Sequence, residues 1–372
     1  MNDAEPKIHY DTVFNDRLVA RYRKKLLGKG REDSRIERAI KMLQGEFDMR
    51  ALSSIMLAFS LEAIEKDDRF DVWQYCQAIA LLRVLISDEH LIAMQAKLLF
   101  GAARWVTSGK RIYEVTDGLA ERLRHTELRG LRSVDVQMPY RTFYIDVPEA
   151  TGLHVPNPET GMHRLRGVYV SDDTIADGRR SIHMIAIGHW TRISGDIYDD
   201  AATHLVLRLD PEQSIDDSMA ESMADPVNIR DVELANNCNF WKQTLPWIMN
   251  VIFYTTSNQA RLELHGIDPD EAARERRKAR LLPRRKRDRI EQELRQRERE
   301  HRIIVGAGIP GLDSGSEQTG TGRTISKRFL RMGHWRNQAC GPGRVDRRQT
   351  WIEPHWVGPE AGELVESVHV VK

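Results

Sequence analysis

The period of the hydrophobic pattern changes near residue 129, and this change restricts the chain to an α+β fold. Upstream, apolar residues recur at threes and fours, the spacing of helices that bury one face. "NDRLVARYRKKLLGKG" offers Asn15 as an N-cap and stops at Gly28 and Gly30. "SRIERAIKMLQGEF" opens on Ser34 and Glu37, which have capping-box spacing. "VWQYCQAIALLRVLISDEHLIAMQAKLLFGAARWV" holds no proline and reads as two packed helices divided at Ser87-Asp88, so residues 1–128 are expected to form a helical domain.

Downstream, β-branched and aromatic residues gather in short runs between breakers. "VQMPYRTFYIDVPE" is a strand set between Pro139 and Pro148, followed by "RGVYV", "SIHMIAIGHW" and "THLVLRLD". The connections are mostly too short or too polar for crossover helices, which predicts a mainly antiparallel sheet. "FWKQTLPWIMNVIFYTTS" reads as a buried helix with Pro246 near its first turn. The expected organisation continues with an α+β core over 129–266, a charged helical and Gly/Ser-rich linker over 267–325, and a small β ribbon over 326–372 packing on the core.

Charge is unevenly spread. The net formal charge is +1, yet residues 274–302 hold fourteen Arg or Lys against six Asp or Glu, a local +8 that leaves −7 elsewhere. Pro283 divides this segment. One reading is a solvated linker helix held by i,i+4 pairs worth tenths of a kcal/mol each. The other is an electrostatic contact through Arg284, Arg285, Lys286 and Arg287 with RNA, DNA or an acidic protein. "GLDSGSEQTGTGRT" follows as a loop.

The stretch "RMGHWRNQACGPGRVDRRQTWIEPHW", residues 331–356, holds three tryptophans, two histidines and five arginines around a Gly-Pro-Gly turn. That turn folds two strands together and brings Trp335 near Trp351. Guanidinium planes stack on indole faces and fork onto phosphates or carboxylates. His334, Trp335, Arg336, Arg344, Arg347, Arg348, Trp351 and His355 are therefore candidate binding residues, for single-stranded RNA or a peptide. The competing reading is a structural ribbon whose arginines stack on its tryptophans and whose tryptophans pack on the sheet.

Several chemistries find no support. "RIIVGAGIPG" matches G-x-G-x-x-G after an apolar run, but "LDSGSEQTGTG" cannot supply the helix that faces a pyrophosphate, and no carboxylate stands where the ribose would need one. His183, His189 and His204, even with Asp199 and Asp200 near, match no familiar metal spacing, so neither metal nor cofactor is expected. No G-x-S-x-G elbow is present, and Ser194 reads as a turn serine. Scattered carboxylates nominate no acid–base pair, and no catalytic residue is assigned. Three isolated cysteines suit a reducing cytoplasm. The N-terminus lacks the blocks of a signal peptide, and no apolar run approaches the roughly 18 residues of a membrane span. With 41% apolar and 30% charged residues, a cytoplasmic protein with real cores is expected.

The order of pieces resembles the type V-A anti-CRISPR family whose members reduce production of the CRISPR nuclease, and its relatives on phages, plasmids and bacterial chromosomes. The matching pieces are the helical N-terminal part, "MPYRTFYIDVP", "GVYV", "HLVLRLD", "PWIMNVIFYTTS", a charged linker, and the "HWR" ribbon with "WIEPHW". The likeness covers about residues 130–372 and is specific in the last forty; the arginine-rich linker and "GAGIPG" depart from it. It implies a binding protein of phage or mobile-element type that inhibits host defence in the bacterial cytoplasm. The implied target is a protein or nucleoprotein in nuclease synthesis, a nascent chain or its transcript. A nucleic-acid-binding accessory protein of a mobile element is the alternative. A metal-independent ribonuclease using His334 is a third.

Overall fold

The structure, a computed structural model, describes residues 14–27, 32–45, 49–67, 69, 77–157, 161–174, 178–189, 201–225, 228, 237–312, 327–359 and 363–364. Five helices come first: α1 (Asp16–Leu26), α2 (Glu32–Gly45), α3 (Met49–Lys66), α4 (Gln77–Leu85) and α5 (Glu89–Thr107). Asn15 caps α1 as its sequence suggests, its side chain accepting from the backbone amides of Arg17 and Leu18. Gly28 and Gly30 lie outside the described residues. Ser34 does not cap α2, because that helix already runs from Glu32 and places Ser34 in its first turn. The break at Ser87-Asp88 falls between α4 and α5, as expected.

The central sheet is built from β1 (Ile112–Val115), β3 (Thr142–Asp146), β4 (His154–Asn157), β5 (Gly161–Thr174), β6 (Arg180–His189), β7 (Ala201–Leu209), β8 (Leu262–His265) and β9 (Arg302–Val305), with the two-residue β2 (Thr126–Glu127) outside it. Its order is β7-β6-β5-β3-β1-β9-β8, with β4 on β5. Every pairing is antiparallel except those of β1, which runs parallel to β3 and to β9. The parallel step arises because β1 reaches β3 through helix α6 (Asp117–Arg124), a crossover within the stretch whose composition suggests helices alone.

The sheet is sandwiched between helices. On one face α5 approaches closely: a Cβ on Gly101 would meet the end of the Ile185 side chain, which would have to shift to make room for it. Trp105 closes that contact, its ring near Tyr144 (6.2 Å) and Tyr169 (5.9 Å) and its indole donating to the Arg111 carbonyl at 2.8 Å. On the other face lie α6, α7 (Ile215–Ala224) and α8 (Asn237–Thr256). Helix α8 is buried along nearly its whole length and anchors the second core through Trp241, Trp247, Phe253 and Tyr254. It begins earlier than expected, so Pro246 sits inside it. Phe240, Trp241, Thr244 and Leu245 all face the core, and their burial outweighs the backbone bond the proline removes.

Between β8 and β9 the arginine-rich segment forms a helical hairpin, α9 (Pro269–Ala279) and α10 (Arg284–Arg299), whose two ends return to adjacent strands of the sheet. The "GAGIPG" turn follows β9. Gly306 takes φ +87°, its carbonyl accepts from the Thr116 hydroxyl at 3.0 Å, and the chain then lies against the start of α6. The turn is thus a cover for α6, with Leu312 donating to Glu121 at 2.9 Å. Strands β10 (Lys327–Arg331), β11 (Gly333–Cys340), β12 (Asp346–Ile352), β13 (His355–Val357) and β14 (Glu363–Leu364) make two small sheets. Among the described residues no helix is long and apolar enough to cross a membrane.

Candidate recognition ribbon and groove

The ribbon is β11 paired antiparallel with β12, in a register that sets Trp335 opposite Trp351, Asn337 opposite Gln349 and Ala339 opposite Arg347. With a side-chain period of two, these three pairs share one face. The tryptophan end of that face is buried on α8 and the arginine end is exposed.

What holds the buried end is a polar network around Asn250, the lone amide in "WIMNVIF". Its Oδ1 accepts from the Trp335 indole at 2.8 Å, and its Nδ2 donates to the carbonyls of Thr126 (2.8 Å) and Leu123 (3.2 Å). The Trp351 indole donates to the Thr126 hydroxyl at 3.2 Å. Gln259 clamps the Trp351 backbone from the other side, accepting from its amide at 2.6 Å and donating to its carbonyl at 3.2 Å. Phe253 and Tyr254 pack their rings on Trp335 (5.7 Å) and Trp351 (5.3 Å). The "WIEPHW" motif is fastened as well: Arg122 reaches Glu353 at 3.1 Å and the carbonyls of Pro354 and Pro310, joining α6, the glycine turn and the ribbon. The Trp335 and Trp351 indoles and the Asn250 and Gln259 amides each have an acceptor, so the base is held in one arrangement.

Beyond the tryptophans the ribbon projects. Residues 341–348 are all exposed, and the side chains of Arg336, Arg344, Arg347 and Arg348 make no ion pair or hydrogen bond among the described residues. The turn takes positive φ at Gly341 (74°) and Gly343 (65°), and also at Arg344 (55°), a conformation that costs a non-glycine residue. Arginine stacking on tryptophan, which the competing structural reading of the ribbon entails, is found at Arg328 over Trp356 (4.9 Å) in the neighbouring β10–β13 pair.

A groove of about 460 Å³ opens where the projecting face passes the C-terminal end of α8. Phe253 and Thr256 lie at its floor, and Arg132, Gln137, Asn258, Asn337, Arg347, Arg348 and Gln349 line it. Four side-chain amides and three guanidiniums supply donors and acceptors at many angles, with the single carboxylate of Asp135 partly engaged by the Arg132 amide at 2.9 Å. Arg132, Gln137 and Asn258 carry no signal in the sequence, since they are far from the ribbon along the chain. Asn250 carries one, as a polar residue inside an apolar helical run.

The other candidate residues fall elsewhere. His334 lies in a second hollow of about 310 Å³ with Glu127, Arg129, Arg331 and Met332, apart from the groove-lining arginines. His355 donates from Nδ1 to the Glu353 carbonyl at 3.2 Å. Arg284, Arg285, Lys286 and Arg287 stand exposed at the start of α10. His183 and His204 form a buried pair, Nδ1 to Nε2 at 3.2 Å, and burial lowers both below the ordinary histidine range. Trp190, Ser194, Asp199 and Asp200 lie outside the described residues, as does the His189 side chain. Among the described residues, no group of three or more His, Cys, Asp or Glu stands ready to hold a metal ion.

Fold and ribbon together define an α+β protein of three layers, with one long buried helix and an anchored basic hairpin at its C-terminal end. The chain belongs to the AcrVA2-like family, the anti-CRISPR type V subtype A2 family, whose model matches residues 113–359. That match begins in β1 and ends just past β13, so it takes in the whole pinned ribbon and the glycine turn, and leaves out the N-terminal helices. Among solved structures, the crystal structure of AcrVA2 is similar at 13% identity and a TM-score of 0.46, covering 88% of this chain and 99% of that one. No curated protein matches.

Proposed function

We propose that this protein inhibits a type V CRISPR system by binding, and that the projecting ribbon with the groove at its foot is the recognition surface. The observation that carries this is a division of labour along one hairpin. Two tryptophans are locked into the core while Arg344, Arg347 and Arg348 stand exposed and unpaired a few residues away. A rigid base spares the ordering entropy that a loose loop would lose on binding. The target we propose is a component of nuclease synthesis, with a protein segment of the nascent chain lying in the groove. Side-chain amides both donate and accept, which suits the peptide groups of an extended chain, and the guanidiniums suit its carboxylates.

The test is the Arg347→Ala, Arg348→Ala double variant. Its melting curve should match the parent, because exposed substitutions cost within about 0.5 kcal/mol. Nuclease levels in cells carrying the CRISPR system should recover, since an arginine at a binding hot spot contributes about 2 kcal/mol or more. A double variant that still lowers nuclease levels in full would sink the assignment. Loss of metal-independent RNA cleavage in His334→Ala would favour the nuclease reading instead.

A further inference from the structure

The α9–α10 hairpin separates its charges. Toward its base, cations are matched: Arg276 bonds Glu291 at 3.0 Å and Glu298 at 2.5 Å, Arg295 bonds Glu291 at 2.8 Å, and Arg289 bonds Glu293 at 3.0 Å. Toward its tip the pattern ends. Residues 277–287 contain seven Lys or Arg and no Asp or Glu. Lys278 and Arg284 reach Glu275 and Asp288, but Arg277, Arg280, Arg285, Lys286 and Arg287 are exposed with no acidic partner among the described residues.

Folding does not account for this. Helix α10 has no acidic residue in its first turn, where the helix dipole favours negative charge, so its four leading cations cost stability rather than adding to it. Nor is the segment a loose tail. Both ends are fixed by the β8–β9 ladder, Ile267, Ala272 and Leu294 form a small core between the helices, and Asp270 is held by Arg111 at 2.8 Å. The arm therefore presents its cations on a firm support.

We infer that the tip of this hairpin contacts the phosphodiester backbone of duplex RNA, at a surface separate from the ribbon. Guanidinium forks match phosphate oxygens. A protein partner would need about 800 Å² of complementary surface, whereas the apolar residues here are only Leu281, 91% exposed, and Leu282, 39% exposed. Two helices side by side span about 20 Å, too broad to enter the roughly 12 Å major groove of DNA. A-form RNA instead brings two phosphate rows close together across a narrow, deep major groove, which a blunt cationic tip can bridge.

The experiment measures binding of the full chain to an RNA duplex, a DNA duplex of the same sequence and single-stranded RNA, over a range of salt. The expected result is preference for duplex RNA, with log affinity falling against log salt at a slope of about −4.5 for five phosphate contacts. Arg280→Ala, Arg285→Ala, Arg287→Ala should keep the parent melting temperature and flatten that slope by about two to three. Arg347→Ala, Arg348→Ala should leave RNA binding unchanged, so failure here and failure of the ribbon assignment are distinguishable. Equal or tighter binding to DNA, an unchanged slope in the triple variant, or retention only by an acidic polypeptide such as polyglutamate would overturn the inference.

Discussion

Asp146 shows how one residue's setting changes its chemistry. It ends β3 beside Glu114 of β1, and its nearest cation, Arg166, stands 3.9 Å away. Burial is the main cause that pushes its carboxyl up to about 6 from an ordinary 3.8, with Glu114 adding to the rise and Arg166 opposing it. A folded pKa above the unfolded one favours the fold below the ordinary value, and that contribution is lost as pH rises through about 6. His183 and His204 act with the opposite sign: burial holds both low, so their contribution is present above the ordinary 6.5 and is lost as pH falls. Two histidines outweigh one carboxyl, so melting temperature should drop between pH 7 and pH 4. Asp146→Asn should make that drop steeper, because it removes the carboxyl whose protonation opposes the histidines; an unchanged profile would mean burial does not move this carboxyl. None of this is legible in the sequence, where Asp146 is one acidic residue among many.

Among the elements, the ribbon and α8 stand or fall together. Asn250 is the hinge pin of that contact, satisfying an indole and two backbone carbonyls at once. Asn250→Leu keeps the same number of side-chain heavy atoms yet strips a hydrogen bond from all three groups and leaves the buried Trp335 indole with no acceptor, at about 1–3 kcal/mol for a buried group so orphaned, before relaxation. We expect a loss of about 3 kcal/mol in a urea unfolding curve, together with faster amide exchange across β11 and β12. Loss of stability without faster exchange in those strands would show that the indole bond does not fix the ribbon. The ribbon's strands, its turn and the approach of Trp335 to Trp351 could be read from alternation around Gly341-Pro342-Gly343. Its resting place on α8 could not, because the residues that receive it are some ninety positions away.

For the molecule as a whole, the arginine-rich hairpin is an excursion from the sheet, and both of its ends are strands. Trypsin should find the exposed tip between residues 277 and 287 first, since cleavage favours exposed connections. The two products should stay together on gel filtration, because β9, the glycine turn and the ribbon remain bonded to β1, α6 and α8. Separation of the fragments would show instead that residues past 266 form an independent unit. Denaturing electrophoresis beside the native column distinguishes the outcomes.

By itself, the sequence determined the α+β class, the helical start, the strands of the antiparallel half, the buried helix and the hairpin turn. Each of these follows from periodicity or turn chemistry within about 20 residues, where local sterics and burial act. Tertiary structure alone decided the rest. It placed β1 between two parallel neighbours, folded the charged segment into an arm, turned "GAGIPG" into a cover for α6, and brought Arg132, Gln137 and Asn258 to the ribbon's foot. Those are contacts between residues distant along the chain, set by which faces bury together once the sheet forms. No local pattern encodes them.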